Sequence, residues 1–151
     1  MIERHGWKLL FHTCLIEQLN RLHHAVERAK AQSPDDYLSN NNVKLFNALS
    51  QLIMETVPLD PNKDEYRQGN TMGADFRHWR RAKLGRRFRL FFRFDSASRV
   101  IIFAWVNDEH SLRSSGSKTD PYTIFQKMLH KGHPPNVWAE LLAVSKEDWQ
   151  V

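Results

Sequence analysis

The sequence lacks most of the features that mark specialised classes of protein. Its 151 residues include a single cysteine, Cys14, which excludes an internal disulfide framework and suits a reducing cytoplasm. No apolar run approaches the roughly 18 to 20 residues that a membrane helix needs, and no cationic stretch leads into an apolar secretory signal. With 41% hydrophobic and 26% charged residues, we expect one soluble domain over residues 1–151 and no membrane association.

Motifs for several kinds of chemistry are also missing. No cysteine and histidine cluster has zinc-binding spacing, no glycine-rich loop suits a phosphate, and Gly-x-Ser-x-Gly is absent. We therefore expect neither a metal site nor a cofactor. Eight histidines are available for proton transfer near neutral pH. Of these, His110 and His133 fall in predicted loops after a strand and a helix, where catalytic groups often lie.

The most informative absence concerns negative charge in one segment. Between Phe76 and Arg93 there is no acidic residue, yet eight of the 22 basic residues lie there. The other 14 basic residues face 17 acidic ones, so the net charge of +5 comes from this segment alone. Cations concentrated in one place repel one another and lower stability unless a ligand or partner compensates their charge. We therefore favour a polyanionic ligand over the two alternatives, a solvated sheet face and a surface that pairs with an acidic protein.

The first half of the chain predicts one strand and two helices. The apolar segment Trp7–Phe11 is predicted to be a strand. Apolar residues recur every three or four positions from Thr13 to Ala31, which predicts a helix with Thr13 as its N-cap. A second stripe from Leu45 to Ile53 predicts another helix, preceded by capping side chains and ended by Val57-Pro58.

A long predicted loop, residues 58–75, precedes a predicted β-hairpin with its turn at Leu84-Gly85-Arg86. Alternate residues of a strand point to opposite faces. Both strands therefore have one apolar face and one cationic face. We expect the cationic face to carry Arg77, Trp79, Arg81, Lys83, Arg87, Arg89, Phe91 and Arg93.

The last part of the chain predicts a buried strand and two helices. Val100–Val106 is continuously apolar, as in a central strand covered on both sides. Asp120-Pro121 is typical of an N-cap and first helical position, and Gly132 ends that helix. Asn136–Val144 is predicted to be a last short helix. The order predicts an α+β domain, with two N-terminal helices on one face of a small antiparallel sheet and short C-terminal helices after it.

The chemistry of the cationic face suits single-stranded RNA. Guanidinium groups pair with phosphates, and Trp79 and Phe91 are expected to stack on unpaired bases. RNA supplies its own nucleophile, the 2′-OH, so cleavage needs alignment, proton transfer and stabilisation of negative charge. Arginine suits charge stabilisation, and Lys83, crowded by arginines, is the candidate base.

Four segments carry a more specific pattern: Trp79–Arg93, Ala104–Glu109, Lys118–Tyr122 and Lys131–Pro135. Together they resemble the YhaV toxin family, over nearly the whole chain. That family is similar to the RelE/ParE superfamily, so the resemblance implies a RelE-like α+β fold. It also implies the toxin of a type II toxin–antitoxin pair, an endoribonuclease that cuts mRNA, free or on the ribosome, and inhibits translation and growth.

The resemblance further implies partners and products. The antitoxin would be PrlF-like, similar to AbrB-type swapped-hairpin DNA-binding proteins, and operator DNA would be bound only through the complex, which represses its own operon. Cleavage would use no metal ion and leave 2′,3′-cyclic phosphate ends. Two other functions stay open: a non-enzymatic inhibitor of DNA gyrase, as in the ParE branch, and an RNA-binding module that leaves RNA intact.

The resemblance also selects site residues. RelE ribonucleases use basic residues on the strand pair that corresponds to Arg81, Lys83 and Arg89. Their arginine and tyrosine after the next strand are replaced here by Asn107-Asp108-Glu109, so the acid–base group stays open. Our catalytic candidates are Arg81, Lys83, Arg89, His110 and Arg113, with Tyr122, Glu109 and His133 as further alternatives for the acid–base group. Our RNA-binding candidates are Arg77, Trp79, Arg86, Arg87, Phe91, Arg93, Tyr122 and His133.

Overall fold

The computed structural model of the protein describes residues 1–108, 111, 113–114 and 116–149. The five strands among these residues are β1 (Ile2–Arg4), β2 (Trp7–Phe11), β3 (Arg80–Leu84), β4 (Phe88–Asp95) and β5 (Val100–Val106). The α-helices are α1 (Thr13–Gln32), α2 (Asn41–Gln51), α3 (Val57–Leu59), α4 (Pro121–His130) and α5 (Trp138–Val144). None of the described helices is long and apolar enough to cross a membrane.

The strands form one mixed sheet in the order β1-β2-β5-β4-β3. Strands β2 and β5 pair in parallel, from Lys8 opposite Val100 to Phe11 opposite Phe103, so the expectation of a purely antiparallel sheet is wrong. Strand β1 was also missed, and the two predicted helices follow β1 and β2 and do not begin the chain. Three residues are too few to show a period of two.

Local hydrogen bonds set where the first helices begin and end. The N-cap of α1 is His12 and not Thr13, since the His12 ring accepts from the Cys14 N–H at 3.1 Å. Asn40 caps α2 as expected of its polar run, accepting from Asn42 N and Val43 N. The helical path does not stop at Val57. It continues from α2 through a π-helical segment, Leu52–Thr56, into α3, where Pro58 falls in the first turn.

Helices cover both faces of the sheet, whereas we expected them on one. Helices α1 and α2 bury Leu15, Leu19 and Leu49 against one face. Helices α4 and α5 cover the other, where Phe125 stacks on Phe91 with ring centroids 4.3 Å apart. All seven residues of β5 are buried, which confirms the prediction of a doubly covered central strand.

The predicted long loop before the hairpin is anchored to the sheet. It contains two 3₁₀ turns, Asp64–Tyr66 and Ala74–Phe76, and it buries Tyr66, Met72 and Phe76. Gln68 is also buried and its amide donates to the Phe76 carbonyl at 2.8 Å. This segment therefore packs along β3, which is an edge strand of the sheet.

Candidate active site

Two arginines of the hairpin meet at one phenol. The Nε of Arg81 donates to the Tyr122 hydroxyl oxygen at 2.7 Å, and the Nε of Arg89 donates to the same oxygen at 3.3 Å. Strands β3 and β4 supply the arginines, and the first turn of α4 supplies Tyr122. A hydroxyl oxygen has two lone pairs, so both are engaged by guanidinium groups.

A third arginine reaches this point through Asp120. Arg113, in the chain after β5, has its guanidinium 4.7 Å from the centre of the Tyr122 ring and donates to Asp120 Oδ1 at 2.7 Å. Asp120 is fully buried, and it also accepts from Ser114 N and Tyr122 N. It is the N-cap of α4, as its Asp-Pro sequence predicted. Asp120 thus fixes both the tyrosine and Arg113.

The position of Arg89 is set by the end of β5. Asn107 is buried, accepts from the backbone N–H of Arg89 at 2.7 Å, and donates to the carbonyls of Arg87 and Ser111. Arg89 itself is only 6% exposed, and its Nη1 donates to the carbonyls of Arg86 and Phe88. Asn107 therefore braces the hairpin.

Lys83 lies directly opposite Arg89 in the register of β3 and β4, so the two side chains share one face of the sheet. It is exposed, and within the described part of the chain its side chain makes no hydrogen bond or ion pair. Arg81, Lys83, Arg89 and Arg113 consequently form a cationic group that we call the Tyr122 site, with Asp120 as its buried carboxylate.

The two aromatic residues predicted to stack on bases are buried instead. Trp79 and Phe91 are fully buried, and both rings pack against Phe125 of α4. The alternation of β4 places Phe91 beside Arg89 as expected, but the predicted helix α4 packs on that part of the face, which was not expected. Neither ring is open to a base in this structure.

Arg93 is also part of the packing. Its guanidinium lies between the rings of Trp79 and Trp138, at 5.5 and 5.4 Å, and donates to the Asn136 carbonyl. Burial lowers the pKa of Arg93 to about 10. The contact ties the chain before α5 to the sheet, so Arg93 is set among rings and not toward solvent.

The other predicted residues lie in different places. Arg86 and Arg87 are exposed at the hairpin turn, next to the Tyr122 site, and Arg77 is exposed before β3. His133 follows the far end of α4, whose rise of 1.5 Å per residue puts His130 about 12 Å from Tyr122. His110 and Glu109 lie outside the described residues.

A separate group of three side chains has metal-ligating atoms within 4.8 Å of one another among the described residues: His12, Cys14 and His133. Burial and the nearby His133 lower the pKa of His12 to about 4, and burial followed by the charge of Glu17 raises that of Cys14 to about 11. The Nδ1 lone pair of His12 is already used as the cap of α1. This group is at the other end of α4 from the Tyr122 site.

Sequence reasoning selected Arg81, Lys83, Arg89, Arg113 and Tyr122 but missed two residues that hold them together. Asp120 was recognised only as a helix cap, and Asn107 only as a departure from the pattern that the resemblance led us to expect. A signal for Asp120 was present, because a buried N-cap carboxylate that follows a polar loop is a natural partner for an arginine in that loop.

Comparison with known proteins gives a consistent family. Residues 9–146 match a family model described as a toxin with endonuclease activity, of a toxin–antitoxin system. The chain is 39% identical over 144 residues to the ribonuclease toxin YhaV of Escherichia coli K12 and to toxin YhaV of strain O6:H1, covering 94% of each chain. No solved structure matches the chain. The protein therefore belongs to the YhaV family of toxins with endonuclease activity from toxin–antitoxin systems.

Proposed function

We propose that the Tyr122 site cleaves RNA by attack of the 2′-OH on the adjacent phosphate. The observation that carries this proposal is the convergence of Arg81 and Arg89 on one hydroxyl, with Lys83 opposite Arg89 and Arg113 stacked on the same ring. The related protein of Escherichia coli K12 is named a ribonuclease toxin, and the 2′-OH distinguishes RNA from DNA as a substrate.

The reaction forms a bond between the 2′ oxygen and phosphorus and breaks the bond from phosphorus to the 5′ oxygen. The 2′-OH loses a proton, and the departing 5′ oxygen gains one, so the products are a 2′,3′-cyclic phosphate and a 5′-OH. The negative charge on the phosphorane is the charge that fixed cations stabilise. Arginine stays protonated at any accessible pH and offers paired donors for phosphate oxygens.

Tyr122 acts in this scheme as a positioning residue. Its hydroxyl oxygen holds Arg81 and Arg89 before substrate arrives, which removes the cost of orienting two flexible side chains. Asp120 does the same for Arg113. Lys83 is exposed on the same face and is therefore the group we assign to proton transfer.

The test is cleavage of a defined RNA in EDTA, with and without ribosomes, followed by mapping of the product ends. Arg81→Ala, Lys83→Ala and Arg89→Ala should each lower the cleavage rate by at least about 10²-fold. The matched control is Arg28→Ala, which removes an exposed arginine from α1. Undiminished cleavage by a folded triple-alanine variant of Arg81, Lys83 and Arg89 would overturn the proposal.

The same assay separates the other two functions. An RNA-binding module would leave the RNA intact, and its affinity for RNA would fall as the salt concentration rises. An inhibitor of DNA gyrase would cause DNA damage in cells while bulk mRNA stays intact. Retained RNA binding by the triple variant with loss of cleavage supports catalysis at the Tyr122 site.

We further propose that a PrlF-like, AbrB-type antitoxin neutralises this site in the cytoplasm, and that the complex represses its operon. Membership in a toxin–antitoxin family implies an antitoxin partner. A groove of about 880 Å³ between α2 and the hairpin supports a place for it, lined by Leu45, Ala48, Leu84, Phe88 and Lys83 among others. A segment with apolar and acidic side chains would fill this groove and cover Lys83.

A further inference from the structure

A second group of arginines lies at the edge of the sheet, on the other face of β3 from Tyr122. Arg67, Gly69, Arg77 and Arg80 line a cavity of about 200 Å³, and no acidic residue is among them. The cavity is smaller than those that hold drug-sized ligands. A single tetrahedral oxyanion matches both its size and its charge.

Arg80 carries an unsatisfied hydrogen-bond donor here. Its Nε is buried and has no partner among the described residues, although its Nη1 donates to the Arg77 carbonyl at 3.3 Å. Its guanidinium lies 5.5 Å from the ring of Phe94, on the face that α1 and α2 cover. Burial, followed by the charge of Arg67, lowers the pKa of Arg80. A buried charged donor without an acceptor requires an explanation, and a bound anion supplies one.

Arg67 is held next to Arg80 by the backbone. The two residues form an antiparallel bridge that adds the loop before the hairpin to the edge of β3. The Nε of Arg67 is 3.7 Å from Asp64 Oδ1, but both side chains are mostly exposed, so this pair screens the charge only weakly. Arg77 is exposed as well. The fold thus holds three like charges around one cavity.

We propose that Arg67, Arg77 and Arg80 bind a second phosphate of the RNA strand whose neighbouring phosphate is cleaved at the Tyr122 site. The proposal rests on the proposed function. Arg80 and Arg81 are consecutive residues of an edge strand, so their side chains point to opposite faces. An RNA strand that crosses this edge contacts Arg81 on one face and the arginine cavity on the other.

A phosphodiester suits this cavity better than the carboxylates of an acidic protein. Three arginines line the cavity, and a tetrahedral phosphate offers several acceptor oxygens to their donors. One RNA strand also supplies phosphates at regular spacing to both sites, whereas a protein segment would need two separately placed acidic residues. Binding of an acidic protein alone is an outcome that the experiment below distinguishes.

The experiment measures binding and needs no cleavage. An uncleavable 2′-O-methyl RNA of about 10 nucleotides is bound to the protein at a series of salt concentrations, and anisotropy gives the affinity. The combined variant Arg67→Gln with Arg77→Gln changes exposed residues that are not in the Tyr122 site. It should bind more weakly, with the slope of log K against log salt reduced by about 0.7 per lost phosphate contact.

Arg28→Gln is the matched control, and it should keep the wild-type affinity and slope. The Arg80→Gln variant, checked for folding by urea denaturation, should reproduce the loss. A slope equal to that of the control would overturn the inference, as would weaker antitoxin binding with unchanged RNA binding. These results are distinct from failure of the proposed function, which would appear as RNA cleavage that persists without Arg81, Lys83 and Arg89.

Discussion

The substitution Tyr122→Phe tests the assignment of Tyr122 as a positioning residue. It removes one hydroxyl and keeps the ring, so the edge contact with Phe91 and the stacking of Arg113 are preserved. The change deletes the acceptor shared by Arg81 and Arg89. Every other contact of the Tyr122 site is left in place.

The expected loss of stability follows from the burial of the two donors. A hydrogen bond to a charged group contributes about 1.5 to 3 kcal/mol net. Arg81 is partly exposed and regains a bond to water, whereas Arg89 is 6% exposed and does not. We therefore expect the free energy of unfolding to fall by about 2 to 4 kcal/mol, most of it from Arg89.

The cleavage rate should also fall, by about 10- to 100-fold, because misplacing a catalytic group by an ångström has effects of this size. Urea denaturation measures the first effect and cleavage of a defined RNA the second. The pH profile of cleavage should keep its shape, since Tyr122 transfers no proton in the proposed scheme. Tyr37→Phe is the control, because the Tyr37 hydroxyl makes no hydrogen bond within the described residues.

Wild-type stability and cleavage in Tyr122→Phe would refute the argument that its hydroxyl holds the two arginines. Loss of one limb of the pH profile of cleavage in Tyr122→Phe would refute the assignment of Tyr122 as a positioning residue, because it would show that the hydroxyl itself transfers a proton. A variant that loses cleavage while stability is unchanged would indicate direct contact with the substrate.

Three other predictions concern Asp120, His12 and the groove beside α2. Asp120→Ala should lower the free energy of unfolding by about 3 to 5 kcal/mol in urea denaturation, because Arg113 loses a buried partner and α4 loses its cap. A decrease below about 1 kcal/mol is typical of an exposed ion pair and would contradict the argument from the burial of Asp120. The pKa of His12 is lowered from 6.5 to about 4, so the unfolded state binds more protons than the folded state between these two pH values. The free energy of unfolding should therefore fall by about 3 kcal/mol as the pH drops through that window. His12→Asn, which keeps an N-cap, should remove this pH dependence, and the same dependence in the variant would contradict the assignment to His12. Ala48→Glu places a charge in the groove beside α2 and should weaken neutralisation by the antitoxin while RNA cleavage persists. The control is Asn47→Glu, which changes an exposed residue that does not line the groove and should have no effect. Equal behaviour of the two variants would place the antitoxin elsewhere.

Much of the fold could be predicted because its elements have strong local signals. The apolar stripe of α1, the asparagine cap of α2, the hairpin and the buried strand β5 are all where the sequence places them. These signals depend on residues a few positions apart, and the physics that produces them is equally local. Strand β1 was too short to be recognised, and the π-helical segment before Pro58 leaves no local signature.

Pairing across the sheet was beyond such reasoning. The sequence of Trp7–Phe11 is that of a strand, but its parallel pairing with β5 depends on the path of the intervening helices. The burial of Trp79 and Phe91 likewise depends on Phe125 of α4, which lies 46 residues after Trp79 and 34 after Phe91. Alternation assigns each side chain to a face, but it does not say what covers that face.

The sequence by itself determined the charge of this protein, most of its helices and strands, and the hairpin that carries Arg81, Lys83 and Arg89. Only the tertiary structure decided which of those cations meet. Asn107 meets Arg89 through the pairing of β4 with β5, and Tyr122 meets Arg81 and Arg89 only once α4 packs on the sheet. Strand alternation points Arg80 and Arg81 to opposite faces of the edge strand, and what covers each face decides the surroundings of each arginine.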